Sequence, residues 1–286
     1  MKYAFIKSCA EQLPVDGLCR YLEVARSGYY AWLKAAPSQR AKDDQELGQL
    51  IEDEFNKHRK AYGTSRMQDR LRQLGRRHGR RRIRRLMIER KLEARQKKRF
   101  VVTTRSDPSR QPAPNVLNRE FQAEGPNLKW VSDITVVPTD EGDLYLAATM
   151  DLWSKMIVGW SIRETMEAHL VQQAFDMAVQ RRWPDTGLLH HSDQGSQYTA
   201  HDFREQLRQR KMVESNSRKG NVWDNAAMES FFSSVEMELF RQKRFGTNAE
   251  AIQEVFIYIE IFYNRQRIHS ALGGCSPAEF EAANRN

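Results

Sequence analysis

From about residue 125 onward, apolar residues gather in runs of strand length: 128–138, 143–151, 156–163 and 187–192. Asp140-Glu-Gly-Asp143 and Asp151-Leu-Trp-Ser-Lys155 are turn-forming breaks between the first three. Helical stretches follow near 167–182 and 199–210, and beyond residue 225 the pattern stays helical almost to the end. There Ile252, Val255, Phe256, Ile259, Phe262 and Tyr263 share one stripe, the mark of core packing. Three hairpin-connected strands followed by alternating helix and strand build a mixed sheet flanked by helices.

Asp133 lies inside the first run, on the face it shares with Val131 and Thr135. Strand interiors disfavour Asp, so a carboxylate there asks for a reason. Asp193 ends the fourth run and is followed by Gln194-Gly195. Glu229 opens a helical stretch, Asn225 to Ser234, and 35 residues lie between it and Asp193. Each alone has an ordinary explanation: a surface Asp on an edge strand, a Ser-Asp-Gln-Gly turn, a Glu favoured by a helix dipole. Together, on two strand ends and a helix, they are the oxygen donors that a pair of divalent cations needs for phosphodiester chemistry. Asp151, at a turn, is expected to be structural, and Glu141 and Asp143 to lie in an exposed turn. Asp224 sits roughly 140° round a helix from Glu229. It is expected to cap that helix or bind Asn225, and His190 and His191 to be buried strand-end histidines. The layout is that of ribonuclease-H-like folds: α/β, a mixed five-stranded sheet flanked by helices, preceded by small all-α helix-turn-helix modules.

The net charge of +9 is concentrated. Residues 66–99 carry 16 Lys/Arg against three acids, whereas residues 125–286 carry 17 basic against 22 acidic side chains. A phosphate backbone is the natural counterpart of such a block. The apolar and charged fractions, 40% and 29%, are those of a soluble protein, and no apolar run approaches the roughly 20 residues of a membrane helix. The first residues lack the apolar middle of a secretory signal. Cys9, Cys19 and Cys275 follow no metal or redox spacing.

Residues 1–60 read as short helices, with Val15, Leu18 and Leu22 on one piece, a break at Arg26-Ser27-Gly28, and Tyr29 to Leu33 on the next. Residues 61–102 repeat the helix-turn-helix theme: Met67, Leu71 and Leu74, a turn from Gly75 to Gly79, then Ile83, Leu86 and Met87. Around that second stripe stand Arg80, Arg81, Arg82, Arg84 and Arg85, which with Lys97, Lys98 and Arg99 are expected to meet DNA phosphates. Residues 103–124, rich in Ser, Pro, Gln and Asn, read as an extended linker to the 125–286 domain.

Trp130-Val-Ser-Asp133-Ile-Thr135, Asp151 to Trp160, His191-Ser-Asp193-Gln-Gly-Ser-Gln-Tyr-Thr199 and Ser217 to Phe232 resemble the integrase core of bacterial insertion-sequence transposases. Tyr263-Asn-Arg-Gln-Arg-Ile-His-Ser-Ala-Leu272 with Ser276-Pro-Ala-Glu-Phe280 resembles their C-terminal end, and Tyr62-Gly-Thr-Ser-Arg66 their front segment. The resemblance is to insertion sequence family three, the product of its second reading frame, and covers almost the whole chain. It implies a DDE recombinase related to retroviral integrases, with Asp133, Asp193 and Glu229 as triad and ligands of two Mg²⁺ ions, for which Mn²⁺ would substitute. It also implies a bacterial, cytoplasmic, nucleoid-associated protein that acts on the element's terminal repeats and target DNA. Assembly as a homo-oligomer in a synaptic complex is expected, and so is a first-reading-frame helix-turn-helix protein as partner or frameshift fusion. Arg218, Lys219, Asn221 and Trp223, just ahead of Glu229, are expected DNA contacts.

One position departs from the family: Glu236 stands where Lys or Arg is usual, on the face of Glu229 about 10 Å along the helix. Either Arg241 or Lys243 substitutes for that cation, or activity is weakened. The expected reaction is metal-dependent 3′-end cleavage and strand transfer. The rival readings are another ribonuclease-H-fold nuclease, and a DNA-binding derivative with a weakened or inactive core.

Overall fold

Strand periodicity places the central sheet. In β1 (Lys129–Thr139), Val131 and Val137 turn to one face while Trp130 and Ile134 turn to the other. The computed structural model describes residues 2–36, 38–94 and 111–284. Among these, β1 is joined by β2 (Gly142–Asp151), β3 (Ile157–Arg163), β4 (Leu189–Ser192) and β5 (Val213–Asn216) in one sheet of order β3-β2-β1-β4-β5. β1, β2 and β3 are antiparallel neighbours, with Asp133 opposite Ala148. β4 lies parallel to β1, and β5 parallel to β4. An antiparallel meander extended by two parallel strands is the ribonuclease-H-like topology. The fifth strand, Val-Glu-Ser-Asn, carries one apolar residue, and that one is exposed.

Each face of the sheet has its own core. On one, α7 (Ala168–Arg182) and α8 (His201–Gln209) bury Phe175, Ala178, Phe203 and Leu207 against Trp130 and Val158. β3 and α7 approach so closely that a Cβ on Gly159 would stand 2.1 Å from the Ala174 carbonyl oxygen, so only glycine fits. On the other face, α9 (Ala226–Val235) and α10 (Asn248–Phe256) bury Met228, Phe231, Phe232 and Val255 against Val131, Leu146 and Ala148.

Both of these last helices continue as π-helix, over Glu236–Phe240 and Ile257–Tyr263. The wide turn inserts a residue and re-centres the apolar stripe. Ala251, Val255, Tyr258, Ile259, Phe262 and Tyr263 are buried, while Ile252 and Phe256 of the expected stripe are 40% and 47% exposed. A final helix, α11 (Pro277–Asn284), is tied to the sheet by Arg182, which bridges Glu281 and Asp151.

The chain divides into two compact units, residues 1–50 and 51–286, so residues 51–60 belong with the larger one. In the smaller unit, α1 (Lys2–Cys9), α2 (Val15–Tyr21) and α3 (Arg26–Lys34) enclose Ile6, Leu18, Cys19 and Tyr29. α4 runs Gln39–Lys57. In the larger unit, α5 (Thr64–Gln73) and α6 (Arg80–Glu89) form the expected helix-turn-helix, with Met67, Leu71, Ile83, Leu86 and Met87 buried. Leu74 falls outside that core at 40% exposed. Residues 111–124, expected as linker, are instead bound to the sheet. The Ala113 N–H donates to Asn216 Oδ1, the Val116 N–H donates to Ser215 Oγ, and Leu117 is buried. Their composition marks extended backbone, and the polar side chains of β5 supply acceptors for it. Among the described residues no helix is long and apolar enough to cross a membrane.

Candidate active site

Register brings two of the acids together. β1 and β4 run parallel with Val131 beside His191, so two residues further on Asp133 stands beside Asp193, on the face covered by α9. The Ile134 N–H donates to Asp133 Oδ1 at 2.8 Å. Asp193 turns the chain at the end of β4, its Oδ1 accepting from the Gly195 N–H at 2.9 Å. The third acid comes from the helix. Asn225 Nδ2 donates to the Ser132 carbonyl at 3.1 Å, fixing the start of α9 beside Asp133. Glu229, one turn on, shares the face of Asn225.

Electrostatics reports the convergence. Burial first, then the charge of Asp193 and the weaker one of Glu229, holds the Asp133 carboxyl well above the usual carboxylate range. Burial also raises Glu229. Neither Asp133 nor Glu229 has an ion-pair partner among the described residues. Among those residues no three His, Cys, Asp or Glu side chains stand close enough to grip an ion as they are. Like charges without a cation between them stand apart. The donor set nevertheless suits a hard divalent cation: three carboxylates, plus the Asn225 Oδ1 atom, buried with no hydrogen-bond partner. Sequence reasoning passed over Asn225, although its spacing of four from Glu229 was visible.

The surrounding polar residues are structural. Asp151 accepts from the Asn127 and Trp153 N–H groups and pairs with Arg182 at 3.1 Å, as expected of a turn residue. His190 Nε2 lies 2.9 Å from Ser132 Oγ, and His191 lies between Ser215 and Ser217. Burial pushes their imidazoles down to about 3 and about 4, so both are neutral. Asp224 neither caps α9 nor binds Asn225. It is fully buried and accepts from Arg218, Arg119 and Asn115, because the docked 111–124 segment brings two of those donors to it.

The candidate DNA contacts divide accordingly. Arg80, Arg81, Arg84 and Arg85 of α6 are exposed and Arg82 is half-buried. Arg80 donates to Ser65 Oγ and Arg85 pairs with Glu89. Lys97, Lys98 and Arg99 lie outside the described residues. Arg218 is bound to Asp224, while Lys219 and Trp223 are exposed and Asn221 accepts from the Trp223 N–H. Glu236 pairs with Arg241 at 2.8 Å, the five-residue spacing that a π-turn brings together. Lys243 is paired with Glu250 and Glu254.

Comparison with known proteins settles the lineage. The Integrase core domain family matches residues 123–222, a second Integrase core domain pattern matches 229–284, and an HTH-like domain matches 42–100. The Escherichia coli K12 protein "Transposase InsF for insertion sequence IS3A" is 36% identical over 286 residues, covering 99% of both chains. This chain belongs to the IS3 family of insertion-sequence transposases. A second relative of the transposase, "Insertion element IS600 uncharacterized 31 kDa protein" of Shigella sonnei, is 44% identical over 263 residues, 92% of this chain and 97% of that one. Among solved structures, a chain of the simian T-cell lymphotropic virus intasome matches with TM-score 0.49 and 11% identity over 63% of this chain and 62% of that chain. The transposase is thus a polynucleotidyl transferase, and DNA is its partner through an HTH-like domain.

Proposed function

We propose that Asp133, Asp193 and Glu229 are the catalytic triad with which this transposase cleaves the 3′ ends of its element and joins them to target DNA. The observation that supports the reading is the parallel register of β1 and β4, which sets Asp133 beside Asp193 on the sheet face that α9, the helix of Glu229, covers. Asp133 and Asp193 would hold one Mg²⁺ or Mn²⁺, Asp133 and Glu229 a second, and the buried, unpartnered Asn225 amide oxygen is a further candidate donor. Bound there, such cations supply Lewis-acid stabilisation of phosphoryl oxygens and a lowered pKa for an attacking water or 3′-hydroxyl.

The chain's own contribution is position. Strand register fixes the two aspartates, and the Asn225–Ser132 hydrogen bond sets α9, the helix that carries the glutamate. No serine or tyrosine nucleophile is assigned, since water or a DNA 3′-hydroxyl attacks directly. Arg80, Arg81, Arg84 and Arg85 supply sequence-independent phosphate contacts, and with them a steep salt dependence. Two element ends must be cut and joined together, which calls for more than one copy of the chain, and a first-reading-frame helix-turn-helix protein is the expected companion.

The test is cleavage and strand transfer on cognate ends with Mg²⁺, comparing wild type with Asp193→Asn. Loss of both reactions with end binding intact supports the triad, and unchanged activity removes it. Cutting without joined products in wild type would indicate a nuclease of the same fold. Binding without any reaction would indicate an inactive derivative.

A further inference from the structure

Beside the triad, on another flank of α9, lies a cavity of about 310 Å³. Ser230 follows Glu229, so it points about 100° round the helix, into this cavity rather than toward Asp133. The floor is apolar, with Phe231 and Tyr263, and the charged walls are Arg66, Lys155 and Arg267.

Two of these cations share one carboxylate, Glu238. Glu238 takes Arg267 in a close two-pronged pair, its oxygens 2.8 Å from Nε and Nη2. Arg66 reaches that carboxylate only at 3.7 Å, and among the described residues it otherwise makes a long hydrogen bond to the Ala61 carbonyl at 3.4 Å. Lys155 donates to the Phe121 carbonyl at 2.9 Å and has no carboxylate within ion-pair distance among the described residues. The nearest acid acting on it, Asp151, is already paired with Arg182. Spare donors on a guanidinium and an ammonium therefore face a cavity that also holds the Ser230 and Ser270 hydroxyls. Burial depresses the basicity of both Arg66 and Lys155. Lys155 also holds a left-handed backbone, φ 59°, at a turn where Asn or Gly would be unstrained.

We infer that this cavity is a subsite for a backbone phosphate of the DNA strand engaged at the active site, held by Arg66 and Lys155. The inference rests on the proposed function only for the identity of that strand. A guanidinium fork, an ammonium and hydroxyl donors are the set that binds a many-oxygened tetrahedral anion. A strand rather than a free anion is favoured by the neighbours. Ser65, next to Arg66, accepts from Arg80 at 2.7 Å, so the subsite adjoins the arginine-bearing helix α6 as well as the helix of Glu229. Arg267 is a structural member, held by Glu238, and not the variable of the test.

The experiment uses the full chain and a fluorescent duplex carrying the element's terminal repeat. Binding is measured against salt concentration for wild type, Lys155→Asn, Arg66→Gln and the double variant. Asn suits the left-handed backbone at 155, and thermal melting checks that each variant is folded. Neutral methylphosphonates are then placed singly along the strand. One replaced phosphate should weaken wild-type binding by about tenfold and leave the double variant indifferent, and its logarithmic salt slope should be shallower by about 1. Equal slopes and equal methylphosphonate profiles in wild type and double variant would overturn the assignment. So would inorganic phosphate raising the melting temperature of wild type alone with the profiles unchanged, since that describes a free-anion site. Asp193→Asn should keep the full wild-type profile, so failure of the subsite and failure of the triad are read separately.

Discussion

The Asn225 side chain spans from α9 to β1, its amide donating to the Ser132 carbonyl at 3.1 Å while its own carbonyl oxygen is buried without a partner. A buried acceptor left unmatched costs stability, and on the proposed reading a cation held by the neighbouring helix and strand would supply its partner. Asn225→Ala should weaken Mg²⁺ or Mn²⁺ binding by roughly 10- to 100-fold, read by calorimetric titration, with a small change in melting temperature. Unaltered cation affinity would show that the oxygen lies outside the site.

Asp224 organises the approach to the same helix. It joins Arg218, Arg119 and Asn115, and so fastens the 111–124 segment to the loop before α9. Asp224→Ala should cost about 2 kcal/mol, the loss of charge-assisted bonds to partly exposed arginines. It should also make residues 111–124 open to limited proteolysis. The Arg218 hydrogen bonds hold this carboxyl well below its usual range, so the stabilisation is present at neutral pH and is lost only as pH falls below that range.

His190 titrates the fold in the other direction. Its imidazole is buried against Phe175 and Phe203, beside Ser132, and is pushed down to about 3. The unfolded chain takes up that proton near pH 6.5 and the folded chain does not, so stability falls as pH drops from 6.5 towards 3. The slope from this residue is about 1.4 kcal/mol per pH unit. Denaturant melts at pH 7 and pH 5 should differ by roughly 2 kcal/mol more in wild type than in His190→Gln.

Glu236 is neutralised by Arg241, both partly exposed. Glu236→Lys should change stability by under about 0.5 kcal/mol. It exchanges a carboxylate for a cation on the face of Glu229, so binding of terminal-repeat duplex should tighten and its salt slope steepen. An unchanged slope would place this face away from DNA.

Much of this molecule was legible in its residues. Period-two burial around Asp133 and the two hairpin turns placed β1 to β3 within a residue or two, because those strands are long and have distinct faces. β5 offered no such pattern: Glu214 accepts from Arg204, Ser215 meets His191 and the Val116 N–H, and Asn216 accepts from the Ala113 N–H and donates to Ser192 Oγ. That segment read as linker because its bonds are long-range, and sequence spacing does not display them. The bond from Asn225 to Ser132 joins positions 93 apart, so only the fold reveals it. The π-turns at Glu236 and Ile257 were hidden for a related reason, since a helical stripe counted at a fixed angle does not register one inserted residue.

Direct ligation by the triad is most sharply examined by Asp193→Cys, assayed for end cleavage in Mg²⁺ and in Mn²⁺. A thiolate is a poor partner for Mg²⁺ and a better one for the softer Mn²⁺. The variant should be silent in Mg²⁺ and regain part of its cleavage in Mn²⁺, while Asp193→Ala stays silent in both. Cleavage by Asp193→Cys at the wild-type rate in Mg²⁺, or the same residual rate as Asp193→Ala in both metals, would contradict Asp193 as a metal ligand.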